Sequence, residues 1–588
     1  MTAKSENEIT LIPDASVVKS LFLGNIIEEN LFPYPSLSGE QAETLSMIIE
    51  SVGRFMEGKT DDFTEYDLKG EQPEEYLNSL KELGLFGVII PEEYEGFGLS
   101  NAAYSRLLQE TSRYDGSTSL TIGAHSSIGM KGLLLFGTEE QKKRYLPRLA
   151  SGELIAAFCL TEAGAGSDAA SIRTAATKNN DGSWTLNGEK IWITNGGIAG
   201  LYTVFARTDS KGGKISAFIV EREWPGVSTG PKEDKMGIRA SATNTVRFDN
   251  VRVPAENLLG EEGKGFKVAM SILNNGRTGL GGGCVGAMKR CIELASRQAA
   301  ERKQFGRPIA EFGLIKEKIG LMTVKCFATE SVVNMVAHYI DSGVKDYSVE
   351  AAISKVFATE SLWFAANEAL QVAGGNGYMR EFPYERIVRD SRINMIFEGT
   401  NEILRLFIAL SGMKVAGEYL KEIGSSAAGI FNDPIKGFGV LSGYASKKFT
   451  QLTTIGRDRL ALVHESLRNE ATVYEQYTLE FSKEVEGLLR KYGKNIIGRQ
   501  FASKRIAEVV IDLFVGLCVL SRVSSMIDES SVDDCKYERA IAKIFTQRAK
   551  RRMNQKLRRI DKNEDKEVEE LARYIVELGK YNWDVIKN

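Results

Sequence analysis

Residues 183–196 read SWTLNGEKIWITNG, a stretch that is rich in aromatic and β-branched residues and ends in Asn-Gly. Similar short segments surround it between residues 153 and 253, separated by glycine, asparagine and aspartate. Segments of this length and composition are typical of strands. Asp181-Gly182 and Asn187-Gly188 are dipeptides that favour hairpin turns. We therefore predict a compact antiparallel β domain at 153–260.

Helical patterns flank this β domain on both sides. Apolar residues recur at helical spacing in GEQAETLSMIIESVGRFMEG before it and in LIKEKIGLMTVKCFATESVVNMVAHYI after it. Long amphipathic segments with short connections predict an antiparallel helical bundle. We predict a mainly α protein with a central β domain. Its parts are an N-terminal arm at 1–36, an N-terminal helical domain at 37–152, the β domain at 153–260, a bundle at 261–422, a linker or loop at 423–446 and an extra helical domain at 447–588.

The overall composition argues against several classes of protein. The 588 residues include 75 Lys and Arg against 78 Asp and Glu, a net charge of −3, so a protein built to coat nucleic acid is not expected. We find no uninterrupted apolar run as long as a membrane-spanning helix. The opening residues MTAKSENEITLIPDAS lack the pattern of a signal or transit peptide. We therefore expect a cytoplasmic protein.

The cysteine and histidine residues narrow the kinds of catalytic chemistry that the sequence supports. The six cysteines are scattered and form no CxxC pair, so we expect reduced, structural thiols. The three histidines lie in no recognisable metal or Ser-His-Asp motif, and we predict no metal site. Chemistry based on a carboxylate or an organic cofactor is favoured.

A glycine-rich segment, TEAGAGSD at 161–168, directly follows the apolar run LIAAFCL. Its GxGxxA spacing at 164–169 matches a loose dinucleotide fingerprint. That motif needs a helix after the glycines, whereas the pattern here soon returns to β at 183–193. Two interpretations stay open: a loop whose N–H groups and hydroxyls contact a polar ligand, or a plain tight turn.

Two further segments favour a planar ligand. Trp192 and Thr194 place a ring beside a hydroxyl at a strand end, which suits a heteroaromatic group, although a core tryptophan is an equal alternative. In QVAGGNGY at 371–378, three glycines in four residues allow close approach of the backbone to a ligand, and they also suit a helix C-cap.

The segment RDSRINMIFEGTNEILR at 389–405 contains a candidate catalytic carboxylate. Glu398 follows Met395, Ile396 and Phe397, and an apolar pocket raises the pKa of a carboxyl group toward the strength of a general base at neutral pH. Alternatively, Glu398 is a favourable charge at the N-terminus of the helix that follows.

Together these motifs resemble the acyl-CoA dehydrogenase family from about residue 30 to residue 412. FCLTE, GAGSDA, KIWITNG, ERKQFG, QVAGGNGY and IFEGTNEILR occur in the family's order and spacing. The chain most resembles the very-long-chain type and its ACAD9-like relatives, through LFPYPSLS, ILNNGR at 272–277 and the helical extension. The resemblance implies the acyl-CoA dehydrogenase fold: an N-terminal helical domain, a middle antiparallel β-barrel domain and a four-helix bundle that hold FAD, here with the extra C-terminal helical domain.

The resemblance also implies which residues bind the cofactor and the substrate. The FAD contacts would be Phe158, Leu160, Thr161, Ser167, Trp192, Thr194, Arg302, Phe305, Gln371, Gly374, Gly375, Thr400 and Asn401. Arg302 and Phe305 belong to a segment that meets the FAD of the neighbouring subunit in the family. The acyl-CoA contacts would be Ser167, Asn274, Arg277, Phe397 and Gly399.

Glu398 matches the family's catalytic base. One branch of the family places the base just before the arginine matched by Arg277, where this chain has Gly276, so the assignment to Glu398 is strengthened. The implied reaction converts long- or very-long-chain fatty acyl-CoA to trans-2-enoyl-CoA in fatty acid β-oxidation. Glu398 takes the α-proton, the flavin takes the β-hydride, and an electron-transferring flavoprotein accepts the electrons.

Two alternative functions remain at this stage, an acyl-CoA oxidase that uses oxygen and an assembly or scaffold protein that retains the fold. The sequence does not fix the acyl chain length, although the small residues Gly123, Ala124 and Gly129 would leave room for a long tail.

The extension contains a basic stretch, KIFTQRAKRRMNQKLRR at 543–559. It is interpreted as a solvated helix face paired with the acidic DKNEDKEVEE that follows, or as a patch for a membrane surface or a partner. The resemblance implies a homodimer and peripheral membrane contact.

Overall fold

A computed structural model of the chain describes residues 11–37, 39–208, 213–422 and 459–586, without the side chains of 421 and 422. The linker predicted at 423–446 lies outside these residues. Along the chain, helices come first, a sheet follows, and helices return. The prediction of a mainly α protein with a central β domain is confirmed.

The first helical region surrounds a core of aromatic and aliphatic side chains. Thr138 forms a capping box at the start of the helix Glu139–Ala150: its Oγ1 accepts from the Gln141 N–H at 3.2 Å, and Gln141 Oε1 accepts from the Thr138 N–H at 3.0 Å. A π-helical turn at Ala124–Gly129 follows α6. The helices are α1 (Val17–Leu21), α2 (Gly39–Glu57), α3 (Thr60–Lys69), α4 (Glu74–Glu82), α5 (Asn101–Tyr114), α6 (Gly116–Gly123), α7 (Lys131–Phe136) and α8 (Glu139–Ala150).

The described part of the predicted N-terminal arm is packed into the molecule. Val18 and Leu21 are fully buried, and the Phe22 ring meets that of Phe481 edge-on with centroids 4.8 Å apart. This segment shares one hydrophobic core with the bundle and the C-terminal helices. Burial of its apolar residues therefore ties the extension to the rest of the protein.

The central sheet has the strand order β6-β7-β3-β2-β4-β5-β8, and β1 pairs with β4. The antiparallel expectation fails at β1, which runs parallel to β4, and at the single parallel bridge between β2 and β4. Parallel neighbours need a long crossover, and β2 and β3 lie between β1 and β4 along the chain. The strands are β1 (Ala156–Cys159), β2 (Ala175–Lys178), β3 (Trp184–Thr194), β4 (Leu201–Arg207), β5 (Ile215–Glu221), β6 (Val227–Lys232), β7 (Thr243–Val253) and β8 (Leu258–Leu259).

The two predicted hairpin turns have different outcomes. Asp181-Gly182 lies between the antiparallel strands β2 and β3, as expected. Asn187-Gly188 lies inside β3, where the register with β7 shifts, so the hairpin prediction is wrong there and the irregularity is a bulge. A Cβ on Gly188 would come within 2.5 Å of Thr174 Oγ1, so glycine serves close packing rather than a turn.

The bundle and the extension complete the fold. By length and composition the helix Gly313–Asp341 is apolar enough to cross a membrane, but it packs on the helices Gly265–Glu301 and Ser348–Ala373 and buries residues such as Val332 and Val336. A small hairpin of β9 (Lys303–Gln304) and β10 (Arg307–Pro308) joins α9 to α10. The helices are α9 (Gly265–Glu301), α10 (Gly313–Asp341), α11 (Ser348–Ala373), α12 (Gly375–Tyr378), α13 (Tyr384–Arg392), α14 (Asn401–Glu422), α15 (Arg468–Tyr492), α16 (Gln500–Glu529), α17 (Lys536–Arg558) and α18 (Asp565–Leu578).

Candidate active site

A cavity of about 310 Å³ lies between α5, α6, α9 and α13. Residues of α9 from Gly276 to Leu294 line it, and 18 residues of helix span roughly 27 Å. A lipid tail occupies one leaflet of a hydrocarbon layer about 30 Å thick, hence about 15 Å. The α9 wall is therefore longer than the layer that one lipid tail occupies in a leaflet, which suits a long acyl tail.

Small residues open this cavity. Gly123 and Ala124 line it, as expected, together with Gly276, Gly279 and Gly283 of α9. Gly129 does not, because a Cβ there would lie 2.7 Å from the backbone of Ala156. Its small size serves the packing of the π-helical turn on β1, so the expectation for Gly129 is wrong.

Glu398 lies in the turn before α14 and contributes to the cavity wall. Its φ of 58° is left-handed, a conformation that costs a non-glycine residue about 1 kcal/mol or more. Its Oε2 atom is buried and has no hydrogen-bond partner among the described residues. Burial raises the pKa of Glu398, while the charges of Arg277 and Lys355 oppose that rise. A buried acceptor with a raised pKa suits a general base and favours that interpretation over a simple helix-end charge.

Arg277 lies beside this turn. Its Nη1 donates to Asn274 Oδ1 at 2.5 Å, and its Nε is buried with no partner in the described chain. A Cβ on Gly399 would lie 3.9 Å from Arg277 Nη2. Burial lowers the pKa of Arg277 to about 10, and Glu398 opposes that shift. Arg277 and Glu398 thus each leave a polar atom unsatisfied near Gly399, which suits a polar ligand between them.

A buried lysine, Lys355, holds the same turn through hydrogen bonds. Lys355 of α11 donates from Nζ to the Gly399 carbonyl at 2.8 Å and to Asn401 Oδ1 at 2.9 Å. Asn401 Nδ2 in turn donates to Thr359 Oγ1 and Glu360 Oε1, each at 3.1 Å. Asn401, predicted to touch FAD, therefore has side-chain bonds directed into the bundle.

The glycine-rich loop at 161–168 leads into strand β2 and not into a helix. Only a short 3-10 turn at Ala169–Ser171 precedes β2, so the dinucleotide fingerprint does not form. Within the loop, Gly164 and Gly166 face open space, and Ser167 is exposed. This arrangement leaves N–H groups and a hydroxyl accessible to a ligand.

The loop is anchored at its start. Glu162 accepts from the Arg173 and Thr174 N–H groups at 2.6 and 3.0 Å and from Lys190 Nζ at 2.7 Å. The carbonyl of Thr161 accepts from the Ile191 N–H at 2.9 Å, which places Thr161 next to the strand that carries Trp192.

Trp192 is 64% exposed, so the core-tryptophan alternative for it is wrong, whereas Trp184 on the same strand is 2% exposed and belongs to the core. Thr194 lines the cavity. Phe158 is half-buried with its ring centroid 5.0 Å from that of Phe205, and Leu160 is buried. An uncovered indole beside a cavity hydroxyl and open glycines fits a planar cofactor such as FAD.

Several predicted residues are not brought to the cavity. Arg302 and the 94% exposed Phe305 lie on the β9–β10 hairpin, after α9. Gln371, Gly374 and Gly375 lie at the end of α11 and are exposed. Because α9 and α11 each run antiparallel to α10, these two groups lie at the same end of the bundle.

The predicted residues that line the cavity are Thr194, Phe397 and Glu398. Thr400 lies beside them, and its Oγ1 accepts from the Ile403 N–H at 3.3 Å.

Sequence reasoning missed several residues of the site. GLGGG at 279–283 is a visible signal, because a run of glycines inside a helix indicates close approach or an adjoining space. Lys355 in the apolar segment of α11 is a second signal. Arg386 and Asp390 also line the cavity, and burial raises the pKa of Asp390 to about 7, but no local pattern distinguishes them from surface charges.

Comparison with known proteins supports the resemblance. Family models match in chain order: "Acyl-CoA dehydrogenase, N-terminal domain" at 42–153, "middle domain" at 157–251, "C-terminal domain" at 263–413, and "ACAD9/ACADV, C-terminal domain" at 465–581. A very long-chain specific acyl-CoA dehydrogenase of Bos taurus is 46% identical over 519 residues, which cover 86% of this chain and 78% of that protein.

Solved structures agree with this assignment. An acyl-CoA dehydrogenase from Bacillus anthracis complexed with FAD superposes with a TM-score of 0.79 at 33% identity, covering 93% of this chain and 92% of its own. Butyryl-CoA dehydrogenase from Megasphaera elsdenii gives a TM-score of 0.62 at 38% identity, covering 64% of this chain and 99% of its own. From its domains, its identity to relatives and its fold, the chain belongs to the acyl-CoA dehydrogenase family.

Proposed function

We propose that the chain oxidises long- or very-long-chain fatty acyl-CoA to trans-2-enoyl-CoA, the dehydrogenation step of fatty acid β-oxidation. One observation carries this proposal: the unpartnered carboxylate of Glu398 lies on the wall of a long cavity that small residues keep open. Trp192, Thr194 and the 161–167 loop would hold FAD, which would supply the hydride acceptor when bound.

Glu398 acts as the base. The α-hydrogen of a thioester is weakly acidic, so proton removal needs an acceptor stronger than an ordinary surface carboxylate. Burial raises the pKa of Glu398, and Oε2 is available to accept the proton. Activity is expected to fall as the pH decreases through this raised pKa, because protonated Glu398 cannot accept.

Arg277 and the cavity orient the substrate. The guanidinium of Arg277 beside Gly399 suits the phosphate-bearing CoA portion, for which a fixed cation is the preferred partner. The acyl tail extends along α9, whose cavity wall from Gly276 to Leu294 supports a long tail rather than a short one. Enclosure of the tail excludes water from the reacting carbons.

The proposal includes an electron-transferring flavoprotein as electron acceptor and a homodimer as the working form. The exposed bundle end supports the dimer, since the resemblance assigns Arg302 and Phe305 to the FAD of the neighbouring subunit and the Phe305 ring is left uncovered in its own chain. Sedimentation of the FAD-loaded protein tests the dimer, and a monomer would contradict it.

We further propose a cytoplasmic location with weak peripheral membrane contact. All six cysteines are free and buried, which suits a reducing compartment. In α17, Arg552 and Lys556 pair with Asp512 and Glu508 of α16, whereas Lys543, Lys550, Arg551 and Arg558 are exposed. Failure to pellet with anionic liposomes at low salt would contradict membrane contact.

Anaerobic titration of the FAD-loaded protein with acyl-CoA of four to twenty carbons tests the function. We expect bleaching of the flavin absorbance with long chains such as palmitoyl-CoA, and a Glu398→Gln variant that binds FAD but bleaches at least about 100-fold more slowly. Equal bleaching rates would remove Glu398 as base. Peroxide formation in air without another acceptor would favour the oxidase, and failure to take up FAD would favour the scaffold.

A further inference from the structure

Lys355 lies two turns into α11 and is fully buried. Its Nζ reaches two acceptors, the Gly399 carbonyl at 2.8 Å and Asn401 Oδ1 at 2.9 Å. Both belong to the turn that begins at Glu398. Lys355 therefore contacts the residues on the C-terminal side of the proposed base but not the cavity itself.

No carboxylate lies within 4.0 Å of Lys355 Nζ in the part of the chain that the structure describes. Burial lowers the pKa of Lys355 to about 7, the charge of Arg277 lowers it further, and Glu398 opposes the shift. A buried ammonium without a counterion is unfavourable for folding, so its retention calls for another role.

The turn it contacts is strained. Glu398 and Gly399 have φ values of 58° and 92°, two successive left-handed residues. This pair decides where the Glu398 side chain points. A neutral Lys355 amine still has two N–H groups, which are enough for both acceptors, so the turn is held in either protonation state.

We propose that Lys355 is a positioning residue for the proposed dehydrogenation: it fixes the Gly399 carbonyl and the Asn401 side chain so that Glu398 faces the cavity, and when protonated it favours the carboxylate form of Glu398. The inference rests on the proposed function, because it assigns Lys355 to the base of that reaction.

The charged and titratable groups that face Lys355 come from several elements. They are Arg277 and Cys284 of α9, Glu360 of α11 itself and Glu398. Glu360 is paired with Arg405 at 2.8 Å. Loss of the Lys355 charge leaves Arg277 as the cation that still opposes the rise of the Glu398 pKa, so that pKa moves upward.

The test compares Lys355→Met with Lys325→Met in steady-state kinetics over a range of pH, with rates expressed per bound flavin. Lys325 is a matched control: it lies on α10, burial lowers its pKa to about 8, and its Nζ lies 5.5 and 5.3 Å from the Phe357 and Phe364 ring centroids. The charges that act most on Lys325 are Arg552, Asp512 and Glu360 rather than Glu398.

We expect Lys355→Met to keep flavin and KM while kcat falls about 100-fold, the scale of a displaced catalytic group. The acid limb of its kcat profile should move to higher pH, while Lys325→Met keeps both values. An unchanged kcat and acid limb would overturn the proposal, as would a loss of activity that only follows loss of flavin.

Lys355→Gln covers the case in which Lys355→Met does not fold, since its amide keeps two N–H groups without the charge. It should show the shifted acid limb with a smaller loss of kcat, and an unshifted limb would overturn the electrostatic part. A wild-type protein that does not oxidise any acyl-CoA would refute the proposed function itself, whereas an active wild type with equally active Lys355 variants refutes this inference alone.

Discussion

Two fully buried lysines, one in the β domain and one in the bundle, hold the two segments that carry the candidate site. Lys190 of β3 is paired with Glu162 at 2.7 Å and also donates to the Leu160 carbonyl at 3.1 Å. Lys355 of α11 donates to a carbonyl and an amide oxygen. Among the residues that the structure describes, the first lysine has an ionic partner, and the hydrogen-bond partners of the second are neutral oxygen atoms.

This difference gives the two lysines different roles. Lys190 is a structural clamp, a charge held by a counterion, whereas Lys355 is a tuned lysine, one whose pKa burial has moved. Burial raises the pKa of Glu162, but hydrogen bonds from Lys190 and Thr174 outweigh it and the net shift is downward. Burial lowers the pKa of Lys190, and the hydrogen bond and charge of Glu162 oppose that shift, so the Glu162 carboxylate both supports the lysine and holds the glycine-rich loop to β3. Lys355 lacks such a partner, and burial lowers its pKa to about 7. Its charge can therefore change near neutral pH while its hydrogen bonds persist.

The largest expected effect is that of Lys190→Met on stability. The substitution leaves the Glu162 carboxylate buried without a cation, and breaking a buried pair on one side costs about 3–5 kcal/mol. We expect a loss of this size in urea unfolding. Amide exchange at Arg173 and Thr174, whose N–H groups bind Glu162, should increase as well.

A double variant, Lys190→Met with Glu162→Leu, supplies the control. Replacing both charges by apolar groups removes the unpaired carboxylate, so most of the lost stability should return. If the single variant is as stable as the wild type, the clamp interpretation of this pair is wrong.

The second expected effect is a pH-dependent one in Lys355→Met. Because the pKa of Lys355 is about 7 in the folded chain and near 10.5 when unfolded, the unfolded chain binds the extra proton between these values. Wild-type stability from this group therefore decreases as the pH falls from about 10 toward 7, and the variant lacks that decrease.

Between pH 9 and pH 7, the free energy of unfolding of Lys355→Met should improve relative to wild type by about 2 kcal/mol. At pH 9 the variant should be the less stable protein, since Gly399 and Asn401 lose a donor, at about 1–3 kcal/mol for an unsatisfied acceptor. Urea titrations at pH 7, 8 and 9 measure this difference, and a constant difference would show that the lysine keeps an ordinary pKa.

The sequence predicts the order of elements and the motif positions well, because these depend on local periodicity and turn chemistry. The turn at Asp181-Gly182 between β2 and β3 is one example. Prediction from the sequence fails where a contact with a distant residue decides the local structure. Asn187-Gly188 has the composition of a hairpin turn, yet β3 continues through it because Gly188 packs on Thr174.

The site shows the same limit. Glu398 is visible in the sequence because a carboxylate follows three apolar residues, whereas the role of Lys355 depends on a turn 44 residues away in the chain. Trp184 and Trp192 are two tryptophans on the same strand. Only their exposure distinguishes them: the Trp184 ring is in the core, and the Trp192 ring is open to a ligand. Such distinctions arise from tertiary packing and not from local pattern.

The smallest expected effect on stability comes from a second Lys–Glu ion pair, which is exposed where the Lys190–Glu162 pair is buried. Lys178 of β2 pairs with Glu262 at 2.9 Å, with about half of each side chain exposed, and its Nζ lies 5.1 Å from the Trp184 ring centroid. Water already solvates both charges, so Lys178→Met should change the free energy of unfolding by only about 0.5 kcal/mol. A loss comparable to that of Lys190→Met would mean that burial is not what distinguishes the two pairs, and the contrast between clamp and tuned lysine would then need a different cause.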